Sequence, residues 1–130
     1  MNMVDLPDDG LDLAVGGVRT PDDIAARVRQ IAWEADDRRV ADLALIATEL
    51  AGNARRHAEG PWRMRVSRVD ERDVLRVEVE DRSPSVLPVL GRSDDPAAGS
   101  GLLLVNRLSV RWGFDHHEDR KVVWAEVPTR

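Results

Sequence analysis

Glu49 and Asn53 stand four residues apart in the segment from Leu43 to His57, Leu-Ala-Leu-Ile-Ala-Thr-Glu-Leu-Ala-Gly-Asn-Ala-Arg-Arg-His. Four residues make slightly more than one helical turn, so the carboxylate and the carboxamide stack on one side of a helix. Leu43, Ile46, Ala47, Leu50 and Ala54 form an apolar stripe on the neighbouring face. An acid beside an amide at the edge of a buried stripe suits a hard cation and a polarised water. Taken alone, such a pair is most often a solvated helix face. His57 lies one turn further along the same side. It could line a pocket or touch an anion, or it could be a partly buried structural histidine.

Two more segments carry residues of chemical interest. Val74 to Asp81 reads as a strand ending in an acid, and Gly99-Ser100-Gly101 precedes the apolar run Leu102 to Val105. Two glycines let a backbone approach an anion closely, and a helix that follows points its free N–H groups at it. A lone Gly-x-Gly is more often a simple loop-to-helix turn, and a lone strand-end Asp an exposed turn acid.

The elements that must position these residues can be read in order. Leu11 to Val15 alternates and suggests an edge strand. Thr20-Pro21-Asp22-Asp23 marks a helix start, and Ile24, Val28, Ile31 and Ala35 follow at helical spacing. A second helix is expected over about residues 38–58, stopped by Gly60-Pro61. Trp62 to Val69 alternates as a half-buried strand and pairs as a hairpin with 74–80 across Asp70 to Asp73. Residues 82–99 form a long Ser/Pro/Gly/Asp-rich segment, of the kind that is usually functional or mobile. A helix over about 100–109, a strand near 110–114 and a closing strand over 121–127 complete the chain. Helices mixed with hairpin-linked strands imply an α+β, two-layer α/β sandwich, its mixed, mostly antiparallel sheet carrying helices on one face.

A chain of 130 residues fits a single domain over 11–130 behind a loose tail, residues 1–10. There is no cysteine, which excludes disulfides and thiolate metal sites and suits the cytoplasm. No apolar run reaches the ~18 residues of a membrane helix, and the acidic first ten residues are not a signal peptide. A net charge of −5 argues against general nucleic-acid binding. Arg63, Arg65 and Arg68 make a basic stripe on one strand, a solvated face or a partner surface. Trp33, Trp62, Trp112 and Trp124 suit core and sheet-face positions better than a base-stacking platform.

The series of Glu-x-x-x-Asn helix, strand ending in Asp, Gly-x-Gly before a helix, and final strand resembles the GHKL ATPase superfamily, which includes gyrase and the sensor histidine kinases. Glu49 to Ala58, Gly101 to Val105 and Val123-Trp124 look most like the small anti-sigma-factor serine kinases, in particular the short actinobacterial ATP-binding regulators. The resemblance covers roughly residues 11 to 128. A sensor kinase fragment fits poorly, since no helical hairpin with a phosphoacceptor histidine precedes the domain.

The resemblance implies ATP and Mg²⁺ as ligands. It makes Asp81 the acceptor of the adenine amine, Gly99, Ser100, Gly101 and Leu102 the phosphate cradle, and Asn53 the Mg²⁺ ligand. Glu49 becomes the general base or the group that positions the acceptor hydroxyl, and His57 a pocket residue. Pro84 and a lid over 86–98, with Arg92 its one basic residue, would cover the nucleotide. Relatives often carry Thr where Val122 stands, a hydroxyl that would support the Asp; here it is lost. The implied partners are a sigma factor and a STAS-type anti-anti-sigma antagonist phosphorylated on Ser or Thr, with homodimerisation common among relatives. The alternative is a non-catalytic partner-binding module of the same fold. The changed Arg82 to Ser85 segment and Val122 favour it, and the retained Glu49 and Asn53 favour the enzyme.

Overall fold

The computed structural model describes residues 10–14, 21–85 and 103–130, the first of these as backbone only. Helix α1 (Pro21–Ile31) opens on the expected proline, with Asp22 and Asp23 in its first turn. There their charges meet the positive end of the helix dipole. The Thr20 cap falls outside the described residues. Helix α2 (Asp37–His57) begins one residue before its expected start and ends where Ala58 turns extended. A third helix, α3, is described over residues 103–108. No helix among the described residues is long and apolar enough to cross a membrane.

Five strands form one sheet in the order β1-β2-β3-β5-β4, with β1 at Gly10–Ala14, β2 at Arg63–Val69, β3 at Val74–Asp81, β4 at Arg111–His116 and β5 at Lys121–Pro128. Every pairing in it is antiparallel. The expected edge strand and the β2–β3 hairpin are both present. Asp73 closes that hairpin at φ 56°, a left-handed conformation that a short polar side chain tolerates.

Alternate residues of the strands face the helices. Leu75, Val77 and Val79 of β3 and Val123, Ala125 and Val127 of β5 pack with Leu43, Ile46 and Leu50 of α2 and with Ile24 and Val28 of α1 in one core. This is the two-layer α+β sandwich expected from the sequence. Thr129 anchors its end: its backbone N–H donates to Asp73 O at 3.0 Å, and its carbonyl accepts from Asp36 N–H at 2.9 Å, just before α2.

The opposite face is held by charge rather than by a second apolar layer. Glu126 is only 1% exposed, and its carboxylate accepts from Arg72 at 2.7 Å, Arg76 at 2.8 Å and Arg111 at 3.1 Å. Arg76 also stacks over the Trp124 ring at 4.4 Å. Here three expectations need correction. Strand β2 is not half-buried in alternation, because Arg65 and Ser67 are buried as well as Met64 and Val66. The three arginines are no stripe: Arg68 lies three residues from Arg65, and a period of two puts them on opposite faces. Arg68 pairs with Glu34 and with Asp70. Trp33 is neither core nor sheet face, being 78% exposed beyond α1.

Candidate functional site

Helix α2 carries Glu49, Asn53 and His57 on successive turns, spanning roughly 12 Å at ~1.5 Å per residue. Its apolar stripe packs the helix onto β3 and β5, which brings Asn53 and His57 beside Asp81, where β3 finishes. Asn53 and His57 line a small cavity with Asp81 and Lys121, walled by Leu50, Ala54, Val79 and Val123. Glu49 instead faces a second cavity of about 550 Å³, shared with Leu103, Leu104 and Arg107 of α3. That volume lies within the usual range of small-molecule sites.

Backbone bonds hold Asp81 opposite the end of α2. Arg82 N–H donates to Glu59 O at 2.9 Å, and Glu59 N–H donates to Ser83 Oγ at 2.8 Å. The loop leaving α2 and the end of β3 are thereby clasped to each other. Asp81 is 2% exposed. Its Oδ1 accepts from Ser83 N–H at 2.8 Å, and its Oδ2 lies 3.4 Å from Lys121 Nζ. Lys121 also donates to Ser83 O at 3.4 Å.

Two polar atoms here have no partner in the protein: Asn53 Oδ1 and His57 Nε2 are both buried without a hydrogen bond. Such orphans are rare, because a buried polar group left unpaired costs about 1–3 kcal/mol. Both sit on residues lining the small cavity, and both suit a ligand or ion. Among the described residues no group of three His, Cys, Asp or Glu side chains could cage a metal by itself. A divalent ion held by Asn53 would complete its shell from phosphate oxygens and water, as Mg²⁺ commonly does. The donor set at this cavity therefore suits a hard cation that brings its own phosphate and water ligands.

The structure thus gathers Asn53, His57 and Asp81 at one cavity and sets Glu49 one turn away. Pro84 is half-buried in the turn after β3 and is not among the residues lining this cavity. Gly99, Ser100, Gly101, Leu102, Arg92 and the 86–98 lid lie outside the described residues. The Val122 expectation is overturned. Strand register pairs Val122 with Glu80 on the outer face, while Lys121 and Val123 face the cavity. A hydroxyl at position 122 would point away from Asp81.

Sequence reasoning missed Ser83, Lys121 and Arg107. Ser83 was readable as an Asx-turn partner two residues after Asp81. Lys121 was not, because its neighbour Asp81 belongs to a strand that is not adjacent in sequence.

No curated protein sequence matches the chain significantly. A solved structure of the RsbU and RsbW domains of Rv1364c from Mycobacterium tuberculosis superimposes with a TM-score of 0.63 at 15% identity, covering 94% of this chain and 33% of that one. The chain thus spans about a third of that neighbour, and the likeness is one of fold. The sequence model of the histidine kinase-like ATPase domain matches residues 15–127. With nearly its whole length matched, the chain belongs to the histidine kinase-like ATPase domain family.

Proposed function

We propose that this protein binds ATP with Mg²⁺ and acts as an anti-sigma-factor-type regulator in the cytoplasm. In one nucleotide state it would hold a sigma factor. In another it would phosphorylate a STAS-type antagonist protein on Ser or Thr, working as a homodimer. The observation that carries the reading is the pair of orphaned buried atoms, Asn53 Oδ1 and His57 Nε2, at the cavity that also holds Asp81. Family membership and the resemblance of Glu49 to Ala58 to anti-sigma kinases support it.

Each residue has a task in this mechanism. The Asp81 carboxylate accepts the exocyclic amine of the base, its Oδ1 already steadied by Ser83 N–H. Leu50, Ala54, Val79 and Val123, which wall the cavity, would flank the ring once the base enters. Asn53, whose Oδ1 is buried without a partner, would offer a hard carbonyl oxygen to the cation. Bound ATP and Mg²⁺ supply the transferable phosphoryl group and the charge that neutralises it. Glu49, facing the larger cavity, accepts the proton of the attacking hydroxyl and orients it. Gly99 to Leu102 would cradle the phosphates ahead of α3.

A second reading is a partner-binding module with weak nucleotide affinity. It is favoured by the size of the Asp81 cavity, about 10 Å³, room for one water, and by the Lys121–Asp81 pair across it. Calorimetric titration with ATP and Mg²⁺ separates the two, followed by a kinase assay on antagonist proteins. No heat of binding at millimolar ATP would leave only the module.

A further inference from the structure

We infer that Lys121 is a second base-reading residue of this pocket, a donor beside the Asp81 acceptor that lets the site take 6-oxopurine as well as 6-aminopurine nucleotides. The inference rests on the nucleotide-binding reading and specifies its substrate class.

The register of β3 and β5 places Lys121 directly across from Asp81 at the sheet end. Lys121 is 3% exposed, and its ammonium lies 3.4 Å from Asp81 Oδ2. The walls beside them are the apolar side chains of Leu50, Val79 and Val123. A buried ammonium must keep an acceptor, since an unpaired buried charge is costly. When the amine of adenine takes Oδ2, the ammonium keeps its bond to Ser83 O, and the N–H that leaves Asp81 turns to another acceptor. Adenine supplies one next to its amine, the ring nitrogen N1.

A 6-oxopurine presents the reverse pattern, an acceptor at position 6 and an N–H donor at position 1. An acid alone would face the carbonyl oxygen of such a base unpaired. Sites of that kind reject the mismatched analogue by factors of about 10⁴–10⁵. Lys121 removes the mismatch. Its ammonium, on a flexible four-carbon stem, meets the oxygen while Asp81 accepts from the ring N–H. The same pair therefore reads both edges by exchanging positions.

The test compares ATP, ITP and 1-deaza-ATP on the native protein by calorimetry with Mg²⁺. ITP should bind within about tenfold of ATP. 1-Deaza-ATP, which lacks the ring acceptor, should bind roughly 10–100-fold more weakly than ATP, the worth of one charge-assisted hydrogen bond. In Lys121→Met the penalty for 1-deaza-ATP should vanish, and ITP should fall at least about 100-fold behind ATP. Lys121→Arg, which keeps a donor, should retain ITP binding, and melting curves report whether each variant is folded. The native series decides the matter even if Lys121→Met does not fold. ITP rejected by more than about 10⁴-fold, with 1-deaza-ATP equal to ATP, would overturn the role of Lys121 and leave ATP binding intact. A native protein that binds none of the three at millimolar concentration overturns the nucleotide reading itself, and this inference with it.

Discussion

Replacing Asn53 with alanine should leave the nucleotide-free protein at least as stable as the parent while removing its Mg²⁺-dependent response to ATP. The magnitude follows from three contributions. Asn53 lies within α2, and alanine is the better helix former by about 0.5–0.7 kcal/mol. Its Oδ1 is buried with no partner, so deleting it relieves about 1–2 kcal/mol of desolvation. Against these stands the loss of a half-buried side chain's packing, about 1 kcal/mol. The balance is a gain of about 0.5–2 kcal/mol. Each kcal/mol moves the midpoint of a domain this size by about 3–5 °C, so Tm should rise by about 2–10 °C without nucleotide. The parent gains about 2.7 kcal/mol when ligand stands 100-fold above Kd, and the variant should lose most of that. Thermal melts of both proteins, with ATP alone, Mg²⁺ alone and both together, provide the assay. An Asn53→Ala protein that melts well below the parent without nucleotide, or keeps the parent's full shift with ATP and Mg²⁺, would refute the reasoning.

Three further outcomes are expected. Asp81→Asn sets an amide against both Lys121 and the base amine; ATP affinity should drop at least about 100-fold, and urea melts should show a loss of about 1–3 kcal/mol from the broken pair. Glu49→Gln should bind ATP within about threefold of the parent by calorimetry yet lose at least about 100-fold in phosphoryl transfer, because Glu49 faces the other cavity. Burial raises the Glu126 carboxyl pKa, but the hydrogen bonds and charges of Arg76 and Arg72 outweigh it and hold the group below its ordinary 4.5. Such a depressed acid contributes stability above its unfolded-state pKa and loses it as pH falls through the folded value. Denaturation followed from about pH 6 to pH 3 should show this loss beginning below about 4.5. Glu126→Gln should abolish that part of the slope and cost about 1–3 kcal/mol near neutrality, less than a fully enclosed pair because its arginines are partly exposed.

Much of the fold was legible because its signals are local. The proline and acids that open α1, the stripe that buries α2 and the turn at Asp70 to Asp73 each act within a few residues. The line of Glu49, Asn53 and His57 was equally legible, since helix geometry alone sets it. Other features depended on which distant strand lies alongside. Strand β5 inserts between β3 and β4, and only that order brings Lys121 to Asp81 and turns Val122 outward. The cluster of arginines around buried Glu126 on the outer face joins the β2–β3 turn to strands β3, β4 and β5, so no window of sequence contains it. Trp33 shows the same limit from the other side. An apolar residue is buried only where another element covers it: Ala32 and Ala35, beyond α1, are covered, and Trp33 between them is not. Local sequence set the helices and strands, the acid–amide helix and the family likeness. Tertiary structure alone decided which charges meet in the pocket, because strand pairing and register are long-range choices that local propensity does not contain.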